Sequence, residues 1–269
     1  MKKSVLSILA VALLSSCVNT NKKAETETKE VVSFEQQQIE AGIMLQIDSI
    51  ASIYNQMDKV PFVAALNNGE LLLTEEEKQV KPDYLIDPAS VNDLVTLSQK
   101  YRAVAMLSID EFVANGFDMD TEELSAAKAR LVVDINDPAF DTFIKDDETE
   151  QTYSDIVTTF YQDELDNGRL NFFWETATAS FVEQTYLLTR NPEKFAACFN
   201  DQQAADFTYR FILLQYGLEQ LKEYAPELNE LCTAIKPLEA LNAITADQLK
   251  EQVVSLKDQI EEVRNGLLK

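Results

Sequence analysis

The chain has 269 residues, with 46 acidic against 23 basic side chains and no histidine, for a formal charge of −23. Such a charge argues against nucleic-acid binding, which neutralises phosphates with clustered Lys and Arg, and against a basic face lying on anionic lipid. The missing histidine excludes Ser-His-Asp and Cys-His catalysis, His-ligated zinc and the facial iron triad.

Apolar residues make up 46% of the chain, an ordinary share for a globular protein. Six glycines and seven prolines are too few turn-formers for a many-stranded β fold and suit long helices with few breaks.

At the start, Lys2 and Lys3 precede a short apolar stretch, Val5 to Leu14. It is too short to span a bilayer and has the order of charge and apolar residues found in a secretory leader. Leu14-Ser15-Ser16-Cys17 closes it. This resembles the lipobox of bacterial lipoproteins. The resemblance implies removal of residues 1–16, acylation of Cys17 (palmitate among the chains), and a lipid anchor. Residues 17–33 are polar and charged, a composition expected of a disordered tether.

A single helical domain is expected over 34–269. Ser33 and Gln36 form a capping box for the first helix, whose apolar face runs through Ile39, Ile43, Ile47, Ile50, Tyr54 and Met57. Pro61 to Leu66 reads as a short helix with proline in its first turn, ended by Asn67-Asn68-Gly69. Leu71 to Ser90 reads as a long ordered connection pinned by Tyr84, Leu85 and Ile86. A helix starting at Ser90 or Asn92 runs to Asn115-Gly116, a further one starts at Thr121, and a short one with Phe140, Phe143 and Ile144 follows Pro138.

Tyr153 to Leu165 comes next. Leu170 to Leu188 is apolar nearly all round, the profile of a central helix. Phe207 to Leu221 is a second such helix, with Ile212 and Tyr216 beside its apolar stripe. Pro226 to Leu241 is broken at Pro237. Thr245 to Leu267 opens on a capping box with Gln248 and carries a narrow seam, Leu249, Val253, Leu256, Ile260, Val263 and Leu267. The fold class is therefore all-α, an irregular bundle of roughly nine helices, with superhelical stacking of helix pairs as a variant.

No phosphate loop, GxSxG elbow or CxxC occurs, so neither a cofactor nor a metal is expected. Asp118, Asp120, Glu122 and Glu123 read either as a calcium loop or as acids favourably placed at a helix N-terminus, the second fitting better. Asp146, Asp147, Glu148 and Glu150, like Glu75 to Glu77, read as solvated.

Carboxylates inside apolar runs matter more, because a buried charge needs a partner. Glu175 and Glu183 lie about 80° apart on one helix, and Asp110 falls in another apolar run. With Arg102 or Arg210 they form a candidate pocket for acid–base chemistry of the glycosidase kind. The plainer reading is a solvent-facing set or a structural ion pair. Trp174 reads as a core aromatic or as a sugar platform. Cys198 and Cys232 read as a disulfide staple or as two separate thiols.

Beyond Leu14–Cys17, the Pro61 helix, Tyr84-Leu-Ile-Asp-Pro88, the Tyr101–Asp110 run and Phe173-Trp174-Glu175 are similar to the uncharacterised all-helical lipoproteins of Gram-negative envelopes. The resemblance implies outer-membrane attachment, since Val18 rather than Asp follows Cys17. The expected role is an accessory subunit that binds an envelope protein. The alternative is a glycan- or small-ligand-binding protein, or a carboxylate hydrolase, with its cleft near Glu175 and Glu183.

Overall fold

A computed structural model of the chain describes residues 34–71, 73–140 and 153–269. Cys17, Ser33, Phe143, Ile144 and the acids from Asp146 to Glu150 lie outside them. Residues 40–269 form one compact unit. Among the described residues there are twelve α-helices and no strand, so the fold is an all-α bundle. No described helix is long and apolar enough to cross a membrane.

Helix α1 (Phe34–Asn55) ends six residues before Pro61, and α2 (Pro61–Asn67) carries that proline at its first position and stops before Gly69, which adopts φ +67°. The long connection is ordered, as its apolar residues require. Thr74 and Glu77 cap the short α3 (Glu75–Gln79) reciprocally. Ile86 and Val91 are buried. Pro88–Val91 forms one 3₁₀ turn, nucleated by the Asp87 side chain accepting from the Ala89 N–H.

That turn displaces the expected start of the next helix. Helix α4 (Leu97–Gly116) begins at Thr96 instead of Ser90 or Asn92, because Thr96 and Gln99 form the complete capping box. Helix α5 (Glu122–Ile135) ends on left-handed Asn136, and α6 spans Tyr153–Asp166.

Helix α7 (Leu170–Arg190) is the axis of the bundle: 17 of its 21 residues are buried. It packs most extensively on α4 and is surrounded by α6 and later helices. The short α8 (Pro192–Phe195) turns the chain into α9 (Asp201–Leu221), capped reciprocally by Asn200 and Gln203. Trp174 of α7 is fully buried between Tyr54, Phe173 and the backbone of Gly217 on α9, which resolves it as a core aromatic.

Helix α10 (Leu228–Ala234) follows. The expected final helix is two helices, α11 (Ala246–Ser255) and α12 (Lys257–Gly266), with a turn at Leu256. Its seam survives the break, since Leu249, Val253, Ile260, Val263 and Leu267 are all buried. Thr245 caps α11, accepting from the Gln248 N–H, but the expected box is not reciprocal: Gln248 Oε1 accepts the Ile244 N–H instead.

Candidate functional site

Asp110, Glu175 and Glu183 are all interior, but they do not share one pocket. Asp110 sits on the α7-facing side of α4 and Glu183 on α7; neither has any exposed surface. Their common partner is Arg264 of α12. Its Nε donates to Glu183 Oε2 at 2.9 Å and its Nη2 to Oε1 at 3.0 Å, a bidentate fork. The same Nη2 stands 3.7 Å from Asp110 Oδ2, which also accepts the Ile86 N–H at 2.6 Å.

Tyr186 closes the group. Its ring lies against both Arg264 and Arg190, at 4.4 and 4.3 Å from the guanidinium carbons. Its hydroxyl donates to the Tyr84 carbonyl at 3.3 Å, and Arg190 reaches Glu261 of α12 at 2.7 Å. This cluster therefore ties α4, α7, α12 and the connecting segment to one another. Burial, followed by the neighbouring Glu183 carboxylate, pushes the Asp110 acid well above the ordinary carboxylate range.

Glu175 belongs elsewhere. It is buried two turns earlier on α7 and pairs with Arg102 of α4 at 3.2 Å. Burial raises its pKa, and the Arg102 charge opposes that rise. Arg210, the other suggested partner, donates to the Asp58 carbonyl at 2.6 Å and lies over the Tyr54 ring. The candidate pocket of Asp110, Glu175 and Glu183 is not formed; the plainer reading holds in its ion-pair form, at two separate sites. The residues diverge because eight residues separate the two glutamates by about 12 Å along α7, so Glu175 meets Arg102 while Glu183 meets Asp110, eight residues further along α4, together with Arg264 of α12.

A second acid cluster escaped the sequence reading. Asp137, just past α5, accepts from the Tyr101 hydroxyl, from Arg169 Nη1 at 2.7 Å and from the Ala139 N–H at 3.0 Å. Burial opposes ionisation of Asp137, but these donors hold it below its usual value. Glu164 of α6 faces Asp137 with no exposed surface, and among the described residues neither of its oxygens receives a hydrogen bond from a donor group. Burial, then the Asp137 charge, push Glu164 up to about 8. A signal for it existed: Glu164 continues the inward stripe of Val157, Phe160 and Tyr161.

The remaining acids have plain roles. Asp118 pairs with Lys78 at 2.6 Å, and Asp120 accepts the Glu122 N–H at 2.9 Å as α5 begins. Glu77 is held by Lys194 at 2.6 Å. The cysteines are separate thiols rather than a staple: Cys198 donates to the Lys194 carbonyl, while Cys232 is buried on α10.

An open groove of about 680 Å³ lies between α2, α6 and α9. Asp58, Lys59, Pro61, Leu71, Tyr153 and Cys198 are among its lining residues; Asp110, Glu175 and Glu183 are not. On the opposite side of α9 from its buried Phe207, Phe211, Leu214 and Leu218, the side chains of Tyr209, Ile212 and Tyr216 are 43, 51 and 49% exposed. Spaced by three and four residues, they share one helix face. No family model, curated protein or solved structure matches the chain.

Proposed function

We propose that this is a lipid-anchored envelope protein whose helical domain binds another protein and does no hydrolytic chemistry with its interior acids. The observation that carries the binding role is the exposed Tyr209–Ile212–Tyr216 face on α9. Tyrosine adds large contact area with few rotors to freeze, and interfaces are enriched in it. The interior carboxylates support a non-hydrolytic role in a different way. Glu183 is held by a guanidinium fork and Glu175 by Arg102, so each is placed as a tie between helices.

The resemblance of Leu14–Cys17 to a lipobox supports the anchor, and Val18 rather than Asp after Cys17 supports outer-membrane attachment. The acidic surface would keep the domain off anionic lipid, leaving the α9 face free for a partner.

Crosslinking of the lipidated protein in intact cells, followed by identification of what co-purifies, tests the proposal. One stoichiometric partner is expected. It should be lost with Cys17→Ser and, separately, with Tyr209→Glu combined with Tyr216→Glu in a folded protein. Retention of the partner by the α9 variant would remove this face from the proposal. Recovery of no partner would turn attention to small ligands of the groove beside Lys59 and Tyr153.

A further inference from the structure

Both buried acid clusters have the same charge arithmetic. Among the described residues, each buried pair of carboxyl groups has one guanidinium within ion-pairing distance, Arg264 for Asp110 and Glu183 and Arg169 for Asp137 beside Glu164; Arg190, also against Tyr186, is paired with Glu261 instead. Full ionisation would leave one uncompensated negative charge beside a like charge in a low-dielectric interior, which costs more than keeping a proton. We infer that each carboxyl pair, Asp110 with Glu183 and Glu164 with Asp137, retains one proton in the folded protein, so that folding takes up protons and the bundle loosens as pH rises.

The hydrogen bonding says where the protons sit. Each Glu183 oxygen already accepts one Arg264 donor and keeps a second acceptor site, and Asp110 Oδ2 accepts the Ile86 N–H; among the described residues the buried Asp110 Oδ1 receives no hydrogen bond. A proton on Asp110 lets it donate to Glu183. Likewise Asp137 accepts three donors, whereas Glu164 accepts none and can itself donate to Asp137. The other groups around Asp110 are Tyr84 from the connecting segment, Tyr186 from α7 close to Arg264, and, against that tyrosine, Arg190 of α7 with its partner Glu261 of α12. Those bearing on Glu164 are Tyr101 from α4, Arg169 beyond the end of α6, and Asp163 beside it.

The direction of the effect comes from linkage. Both acids titrate higher in the folded state than in the unfolded one. The unfolded chain therefore gives up its protons first, and stability is lost as pH rises from the ordinary carboxyl range through the folded values, about 8 for Glu164. The chain makes this window readable. With no histidine, no other side chain of ordinary acidity titrates between about pH 6 and 8.

The test is urea unfolding of the full chain between pH 6 and 8, alongside Asp110→Asn and Glu164→Gln, each amide reproducing the protonated acid. The unfolding equilibrium constant of the parent is expected to rise by up to about tenfold per pH unit for each retained proton, and each amide to flatten that slope by one proton. A slope of zero in the parent, or one that neither amide changes, would overturn the inference. Infrared spectra of the folded parent at pH 6.5 need no variant. The carbonyl stretch of a protonated carboxylic acid should be present, and its absence would equally refute the idea.

Discussion

Arg264 links α12 to acids on both α4 and α7. Among the described residues it is the one guanidinium paired with Asp110 and Glu183, and α12 delivers it between two acids that have no solvent. Removing one partner of such a group leaves buried charge without compensation, at a cost of about 3–5 kcal/mol. Arg264→Met should lower the unfolding free energy by that amount in chemical denaturation at pH 7. If the Asp110 proton is what balances the cluster, Asp110→Asn should cost far less than Arg264→Met at the same pH.

Two glycines make a sharper contrast. A Cβ on Gly217 would stand 2.4 Å from the Trp174 ring, whereas one on Gly42, inside α1, meets nothing within 4 Å. Alanine at Gly42 should therefore stabilise by about 0.5–1 kcal/mol through helix propensity. At Gly217 the overlap with a fully buried indole dominates, and alanine should destabilise by about 1–3 kcal/mol despite the same propensity gain. Thermal melts of the two variants check the opposite signs.

How far residues were legible follows from the same physics. Asp110 and Glu183 stood out as charges within apolar runs and are indeed interior. Their partner did not, because Arg264 lies 81 residues from Glu183 in sequence, and no local pattern encodes which distant cation a buried acid meets. Arg102 and Arg210 stood out instead because they interrupt apolar helices in the same way. One of them does hold Glu175; the other serves the Asp58 carbonyl.

At the level of elements, helix interiors were easier to read than helix starts. The apolar character of Leu170 to Leu188 identified the central helix, and the Thr245–Gln248 spacing located the start of α11. The start of α4 was displaced because Ser90 and Asn92 are themselves good capping residues. They lie beside Pro88, whose fixed φ suits the single 3₁₀ turn, and the capping choice passes to Thr96 with Gln99. Thr96→Ala should accordingly cost about 1 kcal/mol in unfolding free energy, while Ser90→Ala and Asn92→Ala cost less than half of that. An equal loss at Ser90 would mean that the 3₁₀ turn, not the capping box, sets the α4 boundary. The break at Leu256 was invisible to periodicity, since the turn keeps Ile260 and Val263 in phase with Leu249 and Val253.

For the whole molecule, charge is the strongest influence outside the core. A chain with 23 more acidic than basic groups repels itself at neutral pH. Many basic side chains are already committed: Lys78 to Asp118, Lys128 to Glu111, Lys194 to Glu77 and Lys250 to Glu193. Exposed pairs of this kind contribute little and weaken with salt, whereas the net repulsion among the remaining acids is long-ranged at low ionic strength and is screened as well. The second effect acts on more charges, so added salt should raise the melting temperature at pH 7 between about 10 and 300 mM, over which the screening length falls from about 30 Å to below 8 Å. The buried clusters are shielded from mobile ions, so the pH slope attributed to their protons should persist at high salt while the surface contribution fades. Melting temperatures measured on a grid of pH and salt separate the two. A pH slope between 6 and 8 that vanished with salt would assign it to surface repulsion and leave the buried carboxyl pairs ionised.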